Sequence, residues 1–200
     1  MRKLKVTTFL TLDGVMQAPG GPEEDEAGGF AHGGWSFGYW DETVDQDMAA
    51  FMGRPFDLLL GRKTYQIFNA FWPQSTDPGA DVLNKARKHV ASRTLTSVDW
   101  NNSTLIKGDV AKYVSDLKRS DGPEIQVHGS GDLIQTLLKH DLIDEFHLMT
   151  FPVVLGAGKR LFANGAMPVG LRVTNVKTSG SGVVIATYER AGDIKVGSFA

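Results

Sequence analysis

The chain has 200 residues, of which 42% are apolar, enough for one ordinary domain with a sizeable core. It carries 21 Lys and Arg residues against 23 Asp and Glu residues, and its net charge of −2 gives no sign of a nucleic-acid or polybasic membrane surface. There is no cysteine, which excludes disulfides, thiolate catalysis and cysteine-ligated zinc. No apolar run has transmembrane length and the N-terminus lacks a signal-peptide pattern, so we expect a cytoplasmic protein.

The first predicted elements are a strand, a long loop and a helix. Leu4 to Leu10 has the composition of a strand, and Thr11-Leu12-Asp13-Gly14 ends it with a turn signal. Residues 14–38 are rich in glycine and show no periodicity, which is typical of a lid or a binding loop. From Asp41 to Met52, apolar residues recur at helical spacing.

Alternating strands and helices follow. The strands are predicted at Phe56–Leu60, His89–Ser92, Thr104–Ile106, Glu124–His128 and Ile143–Phe151, and the helices at Thr64–Phe71, Asp81–Lys88, Val110–Arg119 and Asp132–His140. Two last strands, Leu171–Thr178 and Val183–Arg190, flank a Ser-Gly-Ser-Gly hairpin signal. This order predicts an α/β fold with a mostly parallel sheet and an antiparallel C-terminal hairpin at one edge.

The segment Gly61-Arg62-Lys63-Thr64 places two cations at the predicted start of a helix, directly after an apolar strand. A helix dipole disfavours cations in the first turn, so a negatively charged ligand explains their presence. A glycine at a strand-to-helix turn lets backbone N–H groups approach such an anion closely. The segment therefore predicts a phosphate site, with a plain turn and a solvated helix start as the alternative.

Two further predicted strands end in segments suited to phosphate. One leads into Ser92-Arg93, and the other leads into Gly129-Ser130-Gly131. The carboxyl ends of parallel strands meet at one rim of an open sheet, where ligands bind. Two helix N-termini suit a pyrophosphate, and the planar guanidinium of Arg93 suits another phosphate, such as a ribose 2′-phosphate. Each segment alone is a common turn, and the combination indicates a nucleotide site.

These segments resemble proteins of the dihydrofolate reductase-like superfamily. Gly61-Arg62-Lys63-Thr64-Tyr65 is similar to the cofactor motif of dihydrofolate reductases, and the wider chain is more similar to the reductase domain of riboflavin biosynthesis and its standalone relatives. The other segments of the likeness, in the family's order, are Thr11–Gly14, Gly129–Leu133, Asp144–Phe146 and Pro152–Gly158. The resemblance implies a three-layer αβα sandwich, one domain at residues 1–190 with a tail at 191–200, and a homodimer.

The resemblance also implies NADPH as the hydride donor and assigns roles to particular residues. Gly61, Arg62, Lys63 and Thr64 would hold the pyrophosphate and the nearby ribose phosphate, and Ser92 and Arg93 would lie by the adenosine end. Gly129, Ser130, Gly131, Asp132 and Leu133 would close over the diphosphate. Asp13 and Gly14 would lie near the nicotinamide and the substrate, and Gly156 and Gly158 would lie in a loop near the substrate pocket.

Two carboxylic acids are candidates for the proton donor of a reduction. Asp45 lies one turn after Asp41 on the predicted helix and on about the same face, and a buried acid there would protonate a ring nitrogen or an imine. Asp13 follows the first strand. Each has an alternative interpretation, since Asp45 also suits a solvated acidic face and Asp13 also suits a turn.

The long loop ends in an aromatic cluster, made of Phe30, Trp35, Phe37, Tyr39 and Trp40. The cluster either walls a flat heterocycle or anchors the loop or a dimer contact. His140, Glu145 and His147 superficially suit a metal ion, but strand alternation and the helix end at His140 do not make them converge. We therefore predict no metal site.

The leading hypothesis from the sequence is an NADPH-dependent reductase of a small heterocyclic substrate. By resemblance, it is similar to the aminouracil reductase of riboflavin biosynthesis or to dihydrofolate reductase. The alternative is a non-catalytic module that binds NADPH or another nucleotide, which needs the phosphate segments but no acid. A purely structural, dimerising protein is a third hypothesis.

Overall fold

The computed structural model describes residues 1–162 and 166–199, and an eight-stranded sheet forms its centre. The strands are Leu4–Thr11 (β1), Phe56–Gly61 (β2), Arg87–Ala91 (β3), Ser103–Ile106 (β4), Glu124–His128 (β5), Glu145–Phe151 (β6), Gly170–Thr178 (β7) and Val184–Gly192 (β8). They lie in the order β4-β3-β2-β5-β1-β6-β8-β7. β1 to β6 are mutually parallel, whereas β8 is antiparallel to both β6 and β7.

Helices cover both faces of this sheet. Within the described residues they are Glu42–Phe51 (α1), Arg62–Phe71 (α2), Ala80–Lys85 (α3), Val110–Arg119 (α4) and Gly131–Lys139 (α5). On one face, α4 and α5 bury Val114 and Leu137 against the sheet. On the other face, Tyr65 of α2 packs with residues of β2. The predicted α/β fold, with its parallel sheet and C-terminal hairpin, is confirmed.

Several predicted boundaries differ from the structure by one or two residues, and the end of α3 differs by three. The helix expected at Asp81–Lys88 ends at Lys85, and Arg87 and Lys88 belong to β3. Lys88 is fully buried, and its ammonium group donates to the carbonyl oxygens of Asn84, Ala86 and Asn101. Tertiary contacts that no local pattern reveals therefore place this lysine inside the sheet. At the other end of the chain, β8 continues to Gly192, and Ala200 lies outside the described residues.

The side chains of β1 alternate between two different environments. Val6 and Leu10 join the apolar cluster beneath α4 and α5. Thr7 and Phe9 face the side of α1, because successive strand residues point to opposite faces. Thr7 lies opposite His128 of β5 and also opposite His147 of β6. Three polar side chains thus form one row across three neighbouring strands, on the face that α1 covers.

The long loop at residues 14–40 is built on its own aromatic core. Phe30 and Trp35 are buried in a cluster with Phe151. The indole N–H of Trp35 donates to the carbonyl oxygen of Gln17 over 2.7 Å. Most of the aromatic cluster therefore anchors the loop, whereas Phe37 and Trp40 stay 86% and 38% exposed.

Candidate functional site

The three predicted phosphate segments lie at one rim of the sheet. Gly61 ends β2 directly beside Ala91, the last residue of β3. The hydroxyl oxygen of Ser130, which follows β5, accepts the backbone N–H of Gly61 over 2.9 Å and donates to the hydroxyl of Thr64 over 2.9 Å. We call Gly61–Thr64, Ser92–Arg93 and Gly129–Leu133 the nucleotide rim. Ser130 connects its first and third segments.

The rim requires unusual backbone conformations and small residues. Gly129 has φ of 61°, and Ser130 adopts a left-handed conformation with φ of 69° and ψ of 57°. A Cβ atom added to Gly61 would lie 3.3 Å from both Cβ and Oγ of Ser130, which is tighter than ordinary contact. The absence of a side chain at Gly61 therefore lets the two turns approach each other.

Two helix N-termini meet at this rim without a side-chain cap. No side chain of Gly61 or Ser130 closes the first turn of α2 or α5. The first N–H groups of a helix have no partner within the helix, so both ends suit an anion. Arg62 and Lys63 are exposed in the first turn of α2, where the helix dipole opposes them. An anionic ligand would offset that repulsion.

The remaining residues of the rim differ in what their side chains offer. The Ser92 hydroxyl accepts the N–H groups of Thr94 and Leu95, so it shapes the turn after β3. Arg93 is exposed and makes no ion pair with any described residue. Asp132 is exposed in the first turn of α5, and Leu133 is buried in the core. These last two residues can contribute to phosphate binding through their backbone N–H groups only.

The long loop borders the nucleotide rim. The sulfur of Met16 lies beside Gly131, 3.5 Å from where a Cβ would stand. Glu24 accepts the N–H groups of Gly20 and Gly21, and burial raises the pKa of its carboxyl. The positive charge of Lys63 acts in the opposite direction on this pKa, so the acidic stretch of the loop lies within electrostatic reach of the rim.

Asp13 holds two loops together. Its carboxylate accepts the hydroxyl of Thr11 over 2.6 Å and the backbone N–H groups of Leu155 and Gly156. Arg160 donates to it as well. These donors, of which the Thr11 hydroxyl has the largest effect, hold the pKa of Asp13 far below its usual value. Burial acts in the opposite direction but is outweighed. Such an acid is ionised at neutral pH and is suited to positioning the loop at 152–160.

The predicted glycines near the substrate pocket serve this loop contact. Gly14 and Gly156 have φ of 81° and 77°, which favours glycine. At Gly158 a Cβ would lie 2.6 Å from a methyl carbon of Val15, so no side chain fits there. The loop at 152–160 and the start of the long loop are therefore packed closely together, next to the carboxyl end of β1.

Asp45 and Asp47 occupy opposite environments on α1. Asp45 is exposed, and its carboxylate accepts the indole N–H of Trp40 over 2.5 Å. Its exposure agrees with the solvated acidic face that was the alternative interpretation, because the face of α1 that meets the sheet includes Val44 and Asp47 instead. Asp47 is 8% exposed, and its oxygens lie 2.7 Å from Nε2 of His147 and 2.6 Å from Nζ of Lys177.

The contacts of Asp47 determine its charge state. Burial alone raises the pKa of this carboxyl, but the contact with His147 and that with Lys177 outweigh burial and hold the pKa below its usual value. The contact with Asp47 is made through Nε2 of His147. Nδ1 of the same ring lies 3.2 Å from the hydroxyl of Thr7.

Sequence reasoning did not identify this polar row as a site. The available signal was the alternation of polar residues on β5 and β6, at Glu124, Gln126, His128, Glu145 and His147. That alternation placed Glu145 and His147 on one side of β6, as the structure shows. Their proximity to Asp47 depends on the packing of α1, which the pattern does not contain.

Two other kinds of site find no support in the residues that the structure describes. No group of three or more His, Asp or Glu side chains there converges in a way that could hold a metal ion. None of the helices in these same ranges combines the length and the apolar character needed to cross a membrane.

Comparisons with known proteins agree with the fold. The chain is 29% identical over 194 residues to the uncharacterized protein YyaP of Bacillus subtilis (strain 168), covering 94% of each chain. A crystal structure of a putative riboflavin biosynthesis protein from Shewanella sp. PV-4 matches with a TM-score of 0.73 at 26% identity, over 94% of this chain and 98% of that one.

A more distant match concerns the fold alone. Dihydrofolate reductase from Enterococcus faecalis, complexed with NADP(H) and RAB-propyl, matches with a TM-score of 0.60 at 13% identity, over 94% of this chain and 96% of that one. The family model of the RibD C-terminal domain matches residues 2–185. With its dihydrofolate reductase-like fold and a match over nearly its whole length, the chain belongs to the RibD C-terminal domain family, whose fold and relatives are reductase-like.

Proposed function

We propose that this protein is an NADPH-dependent reductase that transfers a hydride to a small planar substrate. The observation that carries the proposal is the convergence of two uncapped helix N-termini, of α2 and α5, joined through the hydroxyl of Ser130. Such an arrangement offers two sets of backbone N–H groups to one diphosphate. Arg62 and Lys63 add positive charge at the same place.

The rim segments suit the parts of NADPH in a definite order. Gly61–Thr64 and Gly129–Leu133 would hold the diphosphate, and Ser92 and Arg93 would lie at the adenosine end, where an exposed guanidinium suits a 2′-phosphate. When bound, NADPH supplies the hydride, and the protein orients the reacting groups.

We propose that the substrate lies between α1 and α2, in a region that we call the groove and define by Thr7, Phe51, Phe68 and His128. The ring of His128 lies 6.0 Å from that of Phe51 on α1 and 6.4 Å from that of Phe68 on α2, centroid to centroid. Gly129 follows His128 and donates its N–H to the carbonyl oxygen of Thr7 over 3.2 Å. This region is thus adjacent to the rim along the chain and across the sheet. Gly14, Gly156 and Gly158 with Asp13 would shape its outer wall.

The source of the proton is part of the proposal. Asp45 and Asp13 stay predictions for this role, although the first is exposed and the second is held ionised by four donors. Asp47 is the acid of α1 that faces the sheet, and its carboxylate lies within ion-pair distance of His147 and Lys177. We propose that Asp47 and His147 together hold a proton next to the groove.

Binding of NADPH and its selectivity test this proposal. We expect NADPH to change the intrinsic tryptophan fluorescence and to raise the melting temperature, with micromolar or tighter affinity. Arg93→Ala should weaken NADPH by about tenfold and leave NADH unchanged, since it removes one charge-assisted phosphate contact. The matched control is Arg172→Ala on β7, whose guanidinium pairs with Glu189 on β8. If NADPH alters neither fluorescence nor melting temperature, the proposal is wrong.

A non-catalytic NADPH-binding module is the second candidate. It is favoured by one observation: Asp13 and Asp47 both have lowered pKa values, so neither is a ready proton donor at neutral pH. Tight NADPH binding without oxidation of NADPH, tested with pteridines, pyrimidinones and quinones between pH 5 and pH 8, would support the module. The homodimer implied by the resemblance also stays a prediction, which analytical ultracentrifugation tests.

A further inference from the structure

Tyr65 directly follows the first segment of the nucleotide rim along the chain. It lies in α2 and is 3% exposed, so its phenol ring and its hydroxyl are inside the protein. The ring belongs to an apolar cluster that also contains Leu95 and Val98, from the loop after β3. A buried hydroxyl needs hydrogen-bond partners, and those of Tyr65 come from the same loop.

The hydroxyl of Tyr65 binds three groups at the end of this loop. Its oxygen accepts the backbone N–H groups of Asp99 and Trp100, each over 3.0 Å. It donates to the carboxylate of Asp99 over 3.1 Å. A phenol can both donate and accept, so these contacts use both of its capacities. The hydroxyl therefore fixes the end of the loop against α2.

The residues that Tyr65 holds are also fixed to β3 and α3. The indole N–H of Trp100 donates to the side-chain oxygen of Asn84 on α3 over 2.7 Å. The buried ammonium group of Lys88 on β3 donates to the carbonyl oxygen of Asn101 over 3.2 Å and lies 4.1 Å from the centre of the Trp100 ring. We call residues 99–101 the platform, since contacts from three elements hold them in place.

Arg93 lies on the loop between β3 and the platform. The Ser92 hydroxyl shapes the first turn of this loop by accepting two of its N–H groups. Leu95 and Val98 then join the loop to the apolar cluster around the ring of Tyr65. The position of Arg93 relative to α2 therefore depends on this loop and on the contacts of Tyr65 at its far end.

We infer that Tyr65 is a positioning residue, which fixes Arg93 relative to Gly61–Thr64 and thereby sets the preference of the protein for NADPH over NADH. The inference rests on the proposed function, in which Gly61–Thr64 holds the diphosphate and Arg93 the 2′-phosphate. Both cofactors carry the diphosphate and only NADPH carries the 2′-phosphate, so the spacing of the two segments decides the difference in affinity. A charge-assisted hydrogen bond weakens steeply when its geometry is lost.

Tyr65→Phe tests this inference, because it removes the hydroxyl and keeps the ring in its cluster. The N–H groups of Asp99 and Trp100 lose their acceptor, so the platform has to shift relative to α2 to satisfy them. We expect the ratio of NADPH affinity to NADH affinity, from fluorescence titration with each cofactor, to fall about fivefold through weaker NADPH binding. An unchanged ratio would overturn the inference.

A longer loop tests the same coupling without a change inside the protein. Two glycines inserted between Thr96 and Ser97, which are both exposed, leave the apolar cluster and Tyr65 as they are. Surface loops tolerate such insertions, but the platform then no longer fixes Arg93. The affinity ratio should fall as it does in the Tyr65 variant. A ratio equal to that of the unaltered protein would contradict the inference, even if Tyr65→Phe fails to fold.

Tyr113→Phe is the matched control. The hydroxyl of Tyr113 lies 2.8 Å from Nδ1 of His89, and its ring packs against the apolar cluster beneath α4 and α5. Each phenylalanine variant loses a hydrogen-bonded hydroxyl, so the melting temperature should fall in both. Only the Tyr65 variant should change the affinity ratio. An equal change of the ratio in both variants would indicate a general loss of stability and would overturn the inference.

A double-mutant cycle with Arg93→Ala shows whether Tyr65 acts through Arg93. Once the guanidinium is gone, loss of the Tyr65 hydroxyl should lower the affinity ratio no further. The double variant should therefore match Arg93→Ala alone. Losses that add independently would mean that Tyr65 acts elsewhere, and the inference would be wrong.

Binding of NADPH to the unaltered protein separates this inference from the proposed function. If NADPH does not bind, the proposed function is wrong and the inference fails with it. If NADPH binds and Arg93→Ala lowers the affinity ratio, but neither Tyr65→Phe nor the insertion does, only the role of Tyr65 is wrong. The inference stands if both of these changes lower the ratio and Tyr113→Phe does not.

Discussion

α4 and α2 both begin at the carboxyl ends of sheet strands, but their first turns are completed differently. The carboxylate of Asp109 caps α4 by accepting the N–H of Lys112 over 3.0 Å. In the same way, the carboxylate of Asp41 caps α1 by accepting the N–H of Val44 over 3.1 Å. The first turns of α2 and α5 have no such carboxylate and instead meet each other at Ser130. The first turn of α3, after Gly79, also lacks a side-chain cap, so the open ends of α2 and α5 are distinguished by their adjacency and by the link through Ser130, which lets one anion reach both.

The largest expected effect comes from filling the space between the two open helix ends. Gly61→Val would push side-chain atoms against Cβ and Oγ of Ser130, which a Cβ at Gly61 already approaches to 3.3 Å. We expect NADPH affinity, measured by fluorescence titration, to fall on the order of 100-fold, as overpacking costs about 1 to 3 kcal/mol. Gly38→Val is the control, since nothing lies within 4 Å of a Cβ there. Unchanged affinity in the Gly61 variant would remove Gly61 from the proposed site.

A smaller effect is expected from removing the connection between the open ends. Ser130→Ala deletes the hydroxyl that holds Gly61 and Thr64, so the two N–H sets are less well aligned for one diphosphate. NADPH affinity should fall about tenfold in the same titration. Ser179→Ala also removes a hydroxyl with two hydrogen bonds, in the β7–β8 hairpin, and should leave NADPH affinity as it was. Equal effects of both variants would contradict a special role for Ser130.

Removing the side-chain cap of α4 should lower the stability of the protein and leave its NADPH affinity unchanged. Asp109→Ala leaves the first turn of α4 without its acceptor, so the free energy of unfolding should fall by about 1 kcal/mol. NADPH affinity should not change, because this helix end lies outside the nucleotide rim. Urea denaturation and fluorescence titration of the same preparation measure both quantities. Reduced affinity would mean that the closed and open helix ends are not functionally separate.

The smallest effect concerns pH at the closed cap of α1. The pKa of Asp41 is lowered to about 2, chiefly by the hydrogen bond from the N–H of Ser181. Burial acts in the opposite direction, and the hydrogen bond from the N–H of Val44 lowers the pKa further. A carboxyl with a lowered pKa in the folded state stabilises the protein above its unfolded pKa of about 3.9, and this contribution is lost as the pH falls towards 2.

Asp41→Asn isolates this contribution, because asparagine is also a good N-cap but has no charge. The difference in unfolding free energy between the two proteins should be largest above about pH 4 and should shrink as the pH falls to 2. Urea denaturation at several pH values measures it. A difference that is independent of pH would show that the charge of Asp41 does not contribute.

Local patterns predicted much of the fold and the rim. α4 and β5 were predicted with the boundaries that the structure shows, because each has a clear period and a clear end signal. The rim segments were identified for the same reason: glycine, cations and a helix start are adjacent in the chain, so the phosphate pattern is local. The burial of Asp47 rather than Asp45 was not predicted, since it depends on how α1 is rotated against the sheet.

By itself, the sequence determined the alternating α/β order and the three strand ends with phosphate-binding character, because those properties depend on neighbours within a few residues. Only the tertiary structure decided that Ser130 joins two of these segments, and that Thr7, His128 and His147 form one row beside Asp47. These contacts join residues 66 to 140 positions apart in the chain. The pairing of β2 with β5 brings Gly61 near Ser130, the register of β1 between β5 and β6 aligns the polar row, and the packing of α1 adds Asp47.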